Sequence, residues 1–247
     1  MRVPAPAAAL STLLVVLTGC ESTAPPHTVA VFAAASLRKT FTDLSGAFTG
    51  ANTGAEIELT LAGSADLLTQ LTQGARGDVF ASADTATMDK AARAGLLAGP
   101  PTAFATNTLT IVVAHGNPNG IKGFRDLADV SLVICARQVP CGAALPRIQR
   151  ETRVRLSPVS EEPSVTDVLN KVTSGQADAG LVYVTDARSA GDSVSTVPFP
   201  EAAGVVNTYQ IAVLKDPADG ELAHRFVDLV TGPAGQQALQ AAGFGSP

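Results

Sequence analysis

Hydrophobic and polar positions follow two alternating patterns along most of the chain. Apolar runs of strand length are followed by stretches in which apolar residues recur three and four positions apart, as at Leu37, Phe41, Leu44 and Phe48. The runs are typical of buried strands, and the spaced stretches are typical of amphipathic helices. This alternation predicts an α/β protein with mostly parallel sheets. The predicted strands are 28–32, 57–61, 78–81, 109–114, 132–136, 154–159, 179–184, 194–199 and 208–214, and the predicted helices begin near 37, 64, 84, 142, 165, 219 and 233.

The pattern starts again after Pro100 and Pro101, and the second half is followed by a further strand and two helices. Two similar halves of this kind predict two α/β lobes joined by more than one crossing segment, with a ligand cleft between them. We expect lobe 1 to comprise residues 29–106 plus 208–247 and lobe 2 to comprise residues 107–207. The crossings are expected near 105–108 and 206–208.

The N-terminal segment differs in composition from the rest of the chain. Arg2 precedes an apolar run over 7–17 that ends in small residues, which is typical of a secretory signal peptide. A buried core helix is the alternative, and the run is too short for a comfortable membrane span. The residues Leu17-Thr18-Gly19-Cys20 resemble the bacterial lipobox, in which the cysteine is acylated. We therefore predict a signal peptide over 1–20, a lipid on Cys20 and a tether over 21–28.

Charge and cysteine content narrow the class of partner. A net charge of -5 argues against nucleic acid or an anionic lipid surface as the partner, but it says little about a small anion, whose site is local. With Cys20 assigned to a lipid, Cys135 and Cys141 remain in an export context where disulfides persist. A disulfide across so short a loop and two buried free thiols both stay open at this point.

Catalytic motifs are scarce. His27 falls in the predicted tether, His115 beside a turn and His224 on a terminal helix, so none is expected at a strand end that faces a cleft. The sequence has no cluster of residues at metal-ligand spacing, no G-x-S-x-G elbow and no phosphate-binding P-loop. Ser36 and Lys39 have S-x-x-K spacing, which leaves a secreted serine hydrolase as the enzymatic alternative, although its S-D-N and K-T-G boxes are absent.

Small or hydroxylated residues recur where helices begin. Ser36, Ser64, Cys141 and Val165 each lie at a predicted helix N-terminus after a strand or loop. Taken singly, a serine in this position is an ordinary N-cap. Together, four helix N-termini at the cleft ends of strands would offer free amides and about two positive charges, which matches a dianion. Such a pocket consists of donors, so it favours a fully deprotonated oxyanion. Tyr183 is either a core aromatic residue or a further donor.

From about residue 29 to residue 244 the chain carries, in this order, the blocks VFAAASL, LAGSADLLTQL, GDVFASAD, VPCG, EEPSVTDVL, GLVYVTDA and GPAGQQALQAAGFG. Together, in register, these blocks resemble one family, the molybdate-binding components of ABC importers. The resemblance implies the type II periplasmic-binding-protein fold, in which two α/β lobes, each with a mixed and mostly parallel sheet flanked by helices, close over a ligand on two crossing strands.

The resemblance also implies roles for individual residues. Ser36 and Ser64 would give hydroxyl and amide hydrogen bonds to the oxyanion, Tyr183 its phenol, and Cys141 and Val165 their backbone amides. The anion would be held through its oxygens, with no direct bond from protein to metal. Two features depart from the family pattern. Only Ser64 supplies a hydroxyl in Gly63-Ser64-Ala65, and a cysteine is unusual in the VPxG turn.

The implied function is a monomeric, lipid-anchored receptor outside the cytoplasm, attached to the cell membrane. It would bind molybdate or tungstate without a cofactor and without catalysis, and deliver it to an ABC permease that has a cytoplasmic ATPase. A receptor for another tetrahedral oxyanion such as sulfate is the alternative within the class. Sulfate is smaller and would leave donors of a rigid cleft unpaired, whereas phosphate carries a proton and meets no acceptor.

Overall fold

The computed structural model describes residues 27–247. The predicted signal peptide, the predicted lipid site Cys20 and tether residues 21–26 lie outside the described residues. Among residues 27–247, no helix combines the length and the apolar character needed to cross a membrane.

The described chain forms two five-stranded sheets flanked by helices. The strands are β1 (His27–Ala34), β2 (Ala55–Ala62), β3 (Val79–Ser82), β4 (Thr102–Asn107), β5 (Leu109–Ala114), β6 (Leu132–Cys135), β7 (Ser160–Glu162), β8 (Ala179–Tyr183), β9 (Val194–Val197) and β10 (Asn207–Val213). The helices are α1 (Arg38–Ala51), α2 (Ser64–Thr72), α3 (Thr85–Arg93), α4 (Pro140–Ala143), α5 (Leu145–Thr152), α6 (Val165–Thr173), α7 (Val184–Ala190), α8 (Gly220–Thr231) and α9 (Pro233–Ala242).

Both sheets are mixed, with the same pattern of parallel and antiparallel neighbours. The first has the order β2-β1-β3-β10-β4. In it, β1 is parallel to its neighbours β2 and β3, whereas β10 is antiparallel to its neighbours β3 and β4. The second has the order β7-β6-β8-β5-β9. In it, β6 is parallel to its neighbours β7 and β8, whereas β5 is antiparallel to its neighbours β8 and β9. We call the part built on the first sheet lobe 1 and the part built on the second sheet lobe 2.

Apolar side chains fix the helices of lobe 1 to its sheet. Phe41 of α1 lies with its ring centroid 5.9 Å from that of Phe226 of α8 and 6.1 Å from that of Phe104 of β4, and all three side chains are almost fully buried. Burial of such rings contributes on the order of 2 kcal/mol each, so the predicted helix face at Leu37, Phe41, Leu44 and Phe48 is the face that packs.

The chain passes between the lobes next to a pair of asparagines. Asn107 ends β4 and Asn207 begins β10, and the two residues lie opposite each other in the antiparallel ladder. Residue 108 leads directly from β4 into β5, and residues 205 and 206 lead from lobe 2 back into β10. Both asparagine side chains are buried, so their polar groups need partners within the protein.

The predicted strand over 154–159 is wrong. Its alternation of Val154 and Leu156 with arginines suggested a two-faced strand, but Arg153 adopts a left-handed conformation with φ of 58° and the segment joins no ladder. Pro158 lacks the N–H that a ladder requires. Pairing begins only after it, where the N–H of Val159 donates to the carbonyl of Leu132 at 2.8 Å and β7 follows along β6.

Other boundaries also differ from the predictions. His27, assigned to the tether, belongs to β1, because its N–H donates to the carbonyl of Gly54 at 2.8 Å and it pairs with Ala55 of β2. The predicted helix from 142 is two helices, α4 and α5, and it begins at Pro140. The strand β4 and the helix α7 were not predicted, because neither has a long apolar run or a clear apolar stripe.

Candidate functional site

The five residues predicted to bind a ligand lie together between the lobes. They line one small cavity of about 10 Å³, close to the least space that holds a water molecule, so the site suits a ligand of few atoms. The lining residues are Ala34, Ala35, Ser36, Gly63, Ser64 and Ala83 of lobe 1 and Val139, Pro140, Cys141, Ser164, Val165 and Tyr183 of lobe 2.

Ser36 lies in a single 3₁₀ turn, Ala35–Leu37, between β1 and α1. The small side chains of Ala34 and Ala35 leave the backbone at this strand end accessible to the cavity. The Ser36 Oγ atom lies 2.8 Å from the hydroxyl of Tyr209, and either hydroxyl can donate in this pair. The serine therefore has a partner within the protein as well as a face toward the cavity.

Ser64 is the first residue of α2 and is 2 % exposed. Its Oγ accepts a hydrogen bond from the backbone N–H of Ala83 at 3.0 Å, which leaves its own proton free to donate. The N–H groups of Asp66 and Leu67 both return to the carbonyl of Gly63 at 3.0 Å. The amides of Ser64 and Ala65 precede this first turn, so they have no partner within the helix.

Cys141 lies in the short helix α4, between β6 and α5, and it forms a disulfide with Cys135 at the end of β6. Of the two states that the sequence left open, the structure therefore has the disulfide, with a Cα–Cα distance of 5.7 Å. The N–H groups of Gly142 and Ala143 return to the carbonyl of Val139 at 3.0 and 2.9 Å. The amide of Cys141 precedes them, so it has no partner within this first turn, and the residue lines the cavity.

Val165 begins α6, and Ser164 is its N-cap residue. The Ser164 Oγ accepts from the N–H of Asp167 at 3.3 Å and donates to Asp167 Oδ2 at 2.6 Å. Its proton is thus used within the helix start, so Ser164 acts as an ordinary cap. The amides of the first turn of this helix, including the amide of Val165, have no partner within the helix and are the groups it offers to the cavity.

Tyr183 ends β8 and is 1 % exposed. Among the described residues, its hydroxyl is one of the few buried side-chain atoms without a hydrogen-bond partner. Burial raises the pKa of the Tyr183 phenol well above its usual value, so the group stays protonated and able to donate. An unpartnered buried hydroxyl that lines a cavity is the strongest single indication of a polar ligand here.

Asp186 lies behind Tyr183 on α7. Its Oδ2 accepts the N–H of Tyr183 at 3.2 Å, and the residue is 8 % exposed. Burial raises the pKa of Asp186 to about 7, because the ionised form loses its hydration. The residue does not line the small cavity.

The lobes touch each other around the cavity. A Cβ atom on Gly63 of lobe 1 would lie 2.2 Å from the carbonyl oxygen of Pro163 of lobe 2, so only glycine permits this approach. The Asn207 Nδ2 donates to the carbonyl of Ala83 in lobe 1 at 3.2 Å and to the carbonyl of Pro140 in lobe 2 at 3.4 Å. The described structure is therefore a closed arrangement of the two lobes.

Charged groups play no direct part in the cavity wall. None of the described residues that line it carries a charged side chain, and residues 27–247 contain no group of His, Cys, Asp or Glu arranged to hold a metal ion. Lys39, the partner required by the hydrolase alternative, is exposed and pairs with Asp43 at 2.8 Å. Its ammonium group is thus engaged with a carboxylate at the surface, and this arrangement gives Ser36 no base.

Sequence reasoning missed three polar residues behind the cavity wall: Tyr209, Asn107 and Asn207. Tyr209 is one of only two tyrosines in the chain, which is the one signal that could have drawn attention to it. The asparagines gave no signal, because a polar residue at a strand end is common. Their importance depends on the pairing of β4 with β10, strands that are about 100 residues apart.

The fold and the site together define the class of protein. Residues 29–245 match the family model described as bacterial extracellular solute-binding protein, and the chain belongs to this family. Its architecture is the two-lobed type II periplasmic-binding-protein fold. Solute-binding proteins are not enzymes, so the hydrolase alternative is set aside.

Particular relatives lie within the same class. The chain is 56% identical over 223 residues to the molybdate-binding protein ModA of Mycobacterium tuberculosis, which covers 90% of this chain and 85% of the relative. The periplasmic molybdate-binding protein of Azotobacter vinelandii superimposes with a TM-score of 0.74 at 23% identity, covering 89% of this chain and 99% of that chain. The sulfate-binding protein SubI of M. tuberculosis gives 0.76 at 16% identity, with coverages of 88% and 86%. The fold is thus common to receptors for different anions.

Proposed function

We propose that this protein is a receptor that binds molybdate, and also tungstate, for an ABC importer. The observation that carries the proposal is the composition of the inter-lobe cavity. Ser36, Ser64, Cys141, Val165 and Tyr183 meet there, and the groups they offer are hydroxyl and amide donors. The 56% identity to a protein named molybdate-binding protein ModA supports molybdate as the ligand.

Donor geometry fits a tetrahedral dianion. The first-turn amides of α2 and α6 point out of their helices, and the partial positive charge of a helix N-terminus favours an anion. Two serine hydroxyls and the Tyr183 phenol add directional hydrogen bonds. A full dianion can accept from all of these groups at once, because each of its oxygens has several lone pairs. The anion's charge would be balanced by dipoles, since lysine and arginine are absent from the described cavity wall.

Size separates molybdate from sulfate in this proposal. Sulfate is smaller, so in a cleft whose donors are spaced for the larger anion some donors would stay unpaired. An unpaired buried donor costs about 1 to 3 kcal/mol, and two of them would suffice for strong selection. A sulfate receptor remains the second candidate, because SubI has the same fold.

Location and partners follow from the class and from the N-terminal sequence. We propose that residues 1–20 are a signal peptide, that Cys20 carries a lipid, and that the monomeric body is held at the outer face of the cell membrane. Its partners would be an ABC permease and the cytoplasmic ATPase of that permease. Residues 29–106 plus 208–247 and residues 107–207 are proposed as the two bodies that move about the crossings.

Two substitutions test this function. Ser36→Ala and Tyr183→Phe each remove one hydroxyl from the cavity, and each is expected to weaken molybdate binding roughly 10- to 150-fold, as expected for a hydrogen bond to a charged group. Ser193→Ala, at an exposed serine outside the cavity, is the matched control and should leave the affinity unchanged. Calorimetric titration measures all three variants. Unchanged affinity in both cavity variants, with molybdate still bound, would place the ligand elsewhere.

A further inference from the structure

Tyr209 lies directly behind the cavity without lining it. It is fully buried in β10, its hydroxyl lies 2.8 Å from Ser36 Oγ, and the same hydroxyl faces Asn107 Nδ2 at a weak contact distance of 3.5 Å. Each hydroxyl has a single proton, so the direction of the bond between Tyr209 and Ser36 decides what Ser36 can offer to a ligand.

Asn107 determines that direction. Its Oδ1 accepts the backbone N–H of Thr108 at 3.0 Å, so its Nδ2 must face the other way, where it donates to Thr185 Oγ1 at 2.7 Å and approaches Tyr209. A hydroxyl that faces an N–H donor on one side directs its own proton to the other side. The Tyr209 phenol therefore donates to Ser36, and burial raises its pKa far enough that it keeps the proton.

The two serines that lobe 1 contributes to the cavity, Ser36 and Ser64, are then in the same state. Ser36 Oγ accepts from Tyr209, and Ser64 Oγ accepts from the N–H of Ala83 at 3.0 Å. In each case a lone pair is occupied from behind the cavity wall, and the serine proton is left to point at the ligand. The hydroxyls act as donors because a second donor lies behind each of them.

We propose that Tyr209, oriented by Asn107, is a positioning residue that determines specificity by keeping Ser36 a donor. An oxyanion that carries a proton brings an O–H group that must find an acceptor, and the wall offers it no carboxylate, only hydroxyl oxygens. The inference rests on the proposed function, because it requires that the cavity binds a tetrahedral oxyanion. It adds a residue outside the cavity that separates deprotonated from protonated anions.

Arsenate and selenate are the probes that separate the effect of a proton on the anion from the effect of anion size. Both are tetrahedral and similar in size, but arsenate keeps at least one proton at pH 7 and selenate keeps none. Their dissociation constants are measured by competition against molybdate. The wild-type protein should bind arsenate at least about tenfold more weakly than selenate. Equal binding of the two anions by the wild-type protein would overturn the proposal without any variant.

Tyr209→Phe is the test variant, since it keeps the ring that packs edge-on against Phe104 and Phe244 and removes the hydroxyl alone. Without that donor, both lone pairs of Ser36 Oγ are free, and the hydroxyl accepts a hydrogen bond from the arsenate O–H group more readily. The ratio of the arsenate dissociation constant to the selenate dissociation constant should therefore fall about tenfold. A purely structural role would weaken both anions by the same factor and leave the ratio unchanged, which would contradict the inference.

Asn107→Asp is the second variant, and it reverses the hydrogen-bond chain. An oxygen replaces Nδ2, Tyr209 then donates to this oxygen, and Ser36 gives its proton to Tyr209 and turns a lone pair toward the ligand. Selenate and molybdate should both lose more affinity than arsenate does, which again lowers the ratio. A wild-type protein that binds no molybdate contradicts the proposed function, whereas molybdate binding with an unchanged ratio in both variants contradicts this inference alone.

Discussion

At the scale of single residues, the sequence predicted the cavity wall but not the residues behind it. Ser36, Ser64, Cys141, Val165 and Tyr183 were identified because small or hydroxylated residues at helix starts have a recognisable pattern, and all five line one cavity. Tyr209, Asn107 and Asn207 act through hydrogen bonds across strands that are distant in sequence. No local pattern encodes such contacts.

Asp186 predicts a dependence of stability on pH. Burial raises the pKa of its carboxyl to about 7, from about 3.8 in an unfolded chain. Between these two pH values the carboxyl therefore holds a proton in the folded state that it has lost in the unfolded state. Stability contributed by this group is full below pH 4 and is lost as pH rises to about 7. Asp186→Asn retains an acceptor for the N–H of Tyr183 and removes the titration.

The expected result is a difference between variant and wild type that grows with pH. Asp186→Asn should become more stable than the wild type between pH 4.5 and pH 8, with a limiting gain on the order of 4 kcal/mol above pH 7. Denaturant unfolding at several pH values measures the difference, in which the contributions of all other groups cancel. The exposed Asp89→Asn is the control. A difference that stays constant over this range would contradict the assignment.

At the scale of elements, strong periodicity was a reliable guide and weak periodicity was not. The helix face at Leu37, Phe41, Leu44 and Phe48 and the strand β5 were predicted correctly because their apolar positions are regular. The strand β4 was missed because its inward side chains alternate weakly and its partner β10 is contributed by the far end of the chain. The strand predicted over 154–159 failed because Pro158 and the left-handed Arg153 prevent pairing there.

The disulfide predicts a local contribution to stability and to binding. It closes a loop between residues six positions apart, for which the loss of chain entropy corresponds to about 2 kcal/mol. The double variant Cys135→Ala/Cys141→Ala should lose about that much free energy of unfolding, and molybdate affinity should fall because the amide of Cys141 is less well fixed.

Denaturant unfolding and calorimetry measure the two effects, with and without a thiol reductant. The wild-type protein should respond to the reductant in the direction of the double variant, and the double variant should not respond. An unfolding midpoint and an affinity that are the same in both proteins would show that the bond constrains neither the turn nor the site.

At the scale of the whole molecule, the backbone approach at Gly63 limits how closely the two lobes can come together. Gly63 has an ordinary backbone conformation with φ of -59°, which alanine can adopt, so Gly63→Ala introduces no strain within lobe 1. Its Cβ would lie 2.2 Å from the carbonyl oxygen of Pro163 and would hold the lobes apart. The variant should fold normally and bind molybdate at least about tenfold more weakly.

Small-angle X-ray scattering with and without molybdate measures this closure. The molybdate-bound Gly63→Ala variant should have a larger radius of gyration than the bound wild-type protein. Gly50→Ala, at a helical glycine with no other heavy atom near its missing Cβ, is the matched control and should bind and close as the wild type does. A Gly63→Ala variant with wild-type affinity and scattering would show that the two lobes do not close through this contact.

The central claim is that a cavity built from hydroxyl and amide donors between two lobes selects a large, fully deprotonated tetrahedral anion. Its most direct test is calorimetric titration of the purified protein with molybdate, tungstate, sulfate and phosphate at matched pH and salt. The account predicts tight one-to-one binding of molybdate and tungstate and no heat from sulfate or phosphate. Sulfate binding as tight as molybdate binding, or no binding of any of the four anions, would contradict it.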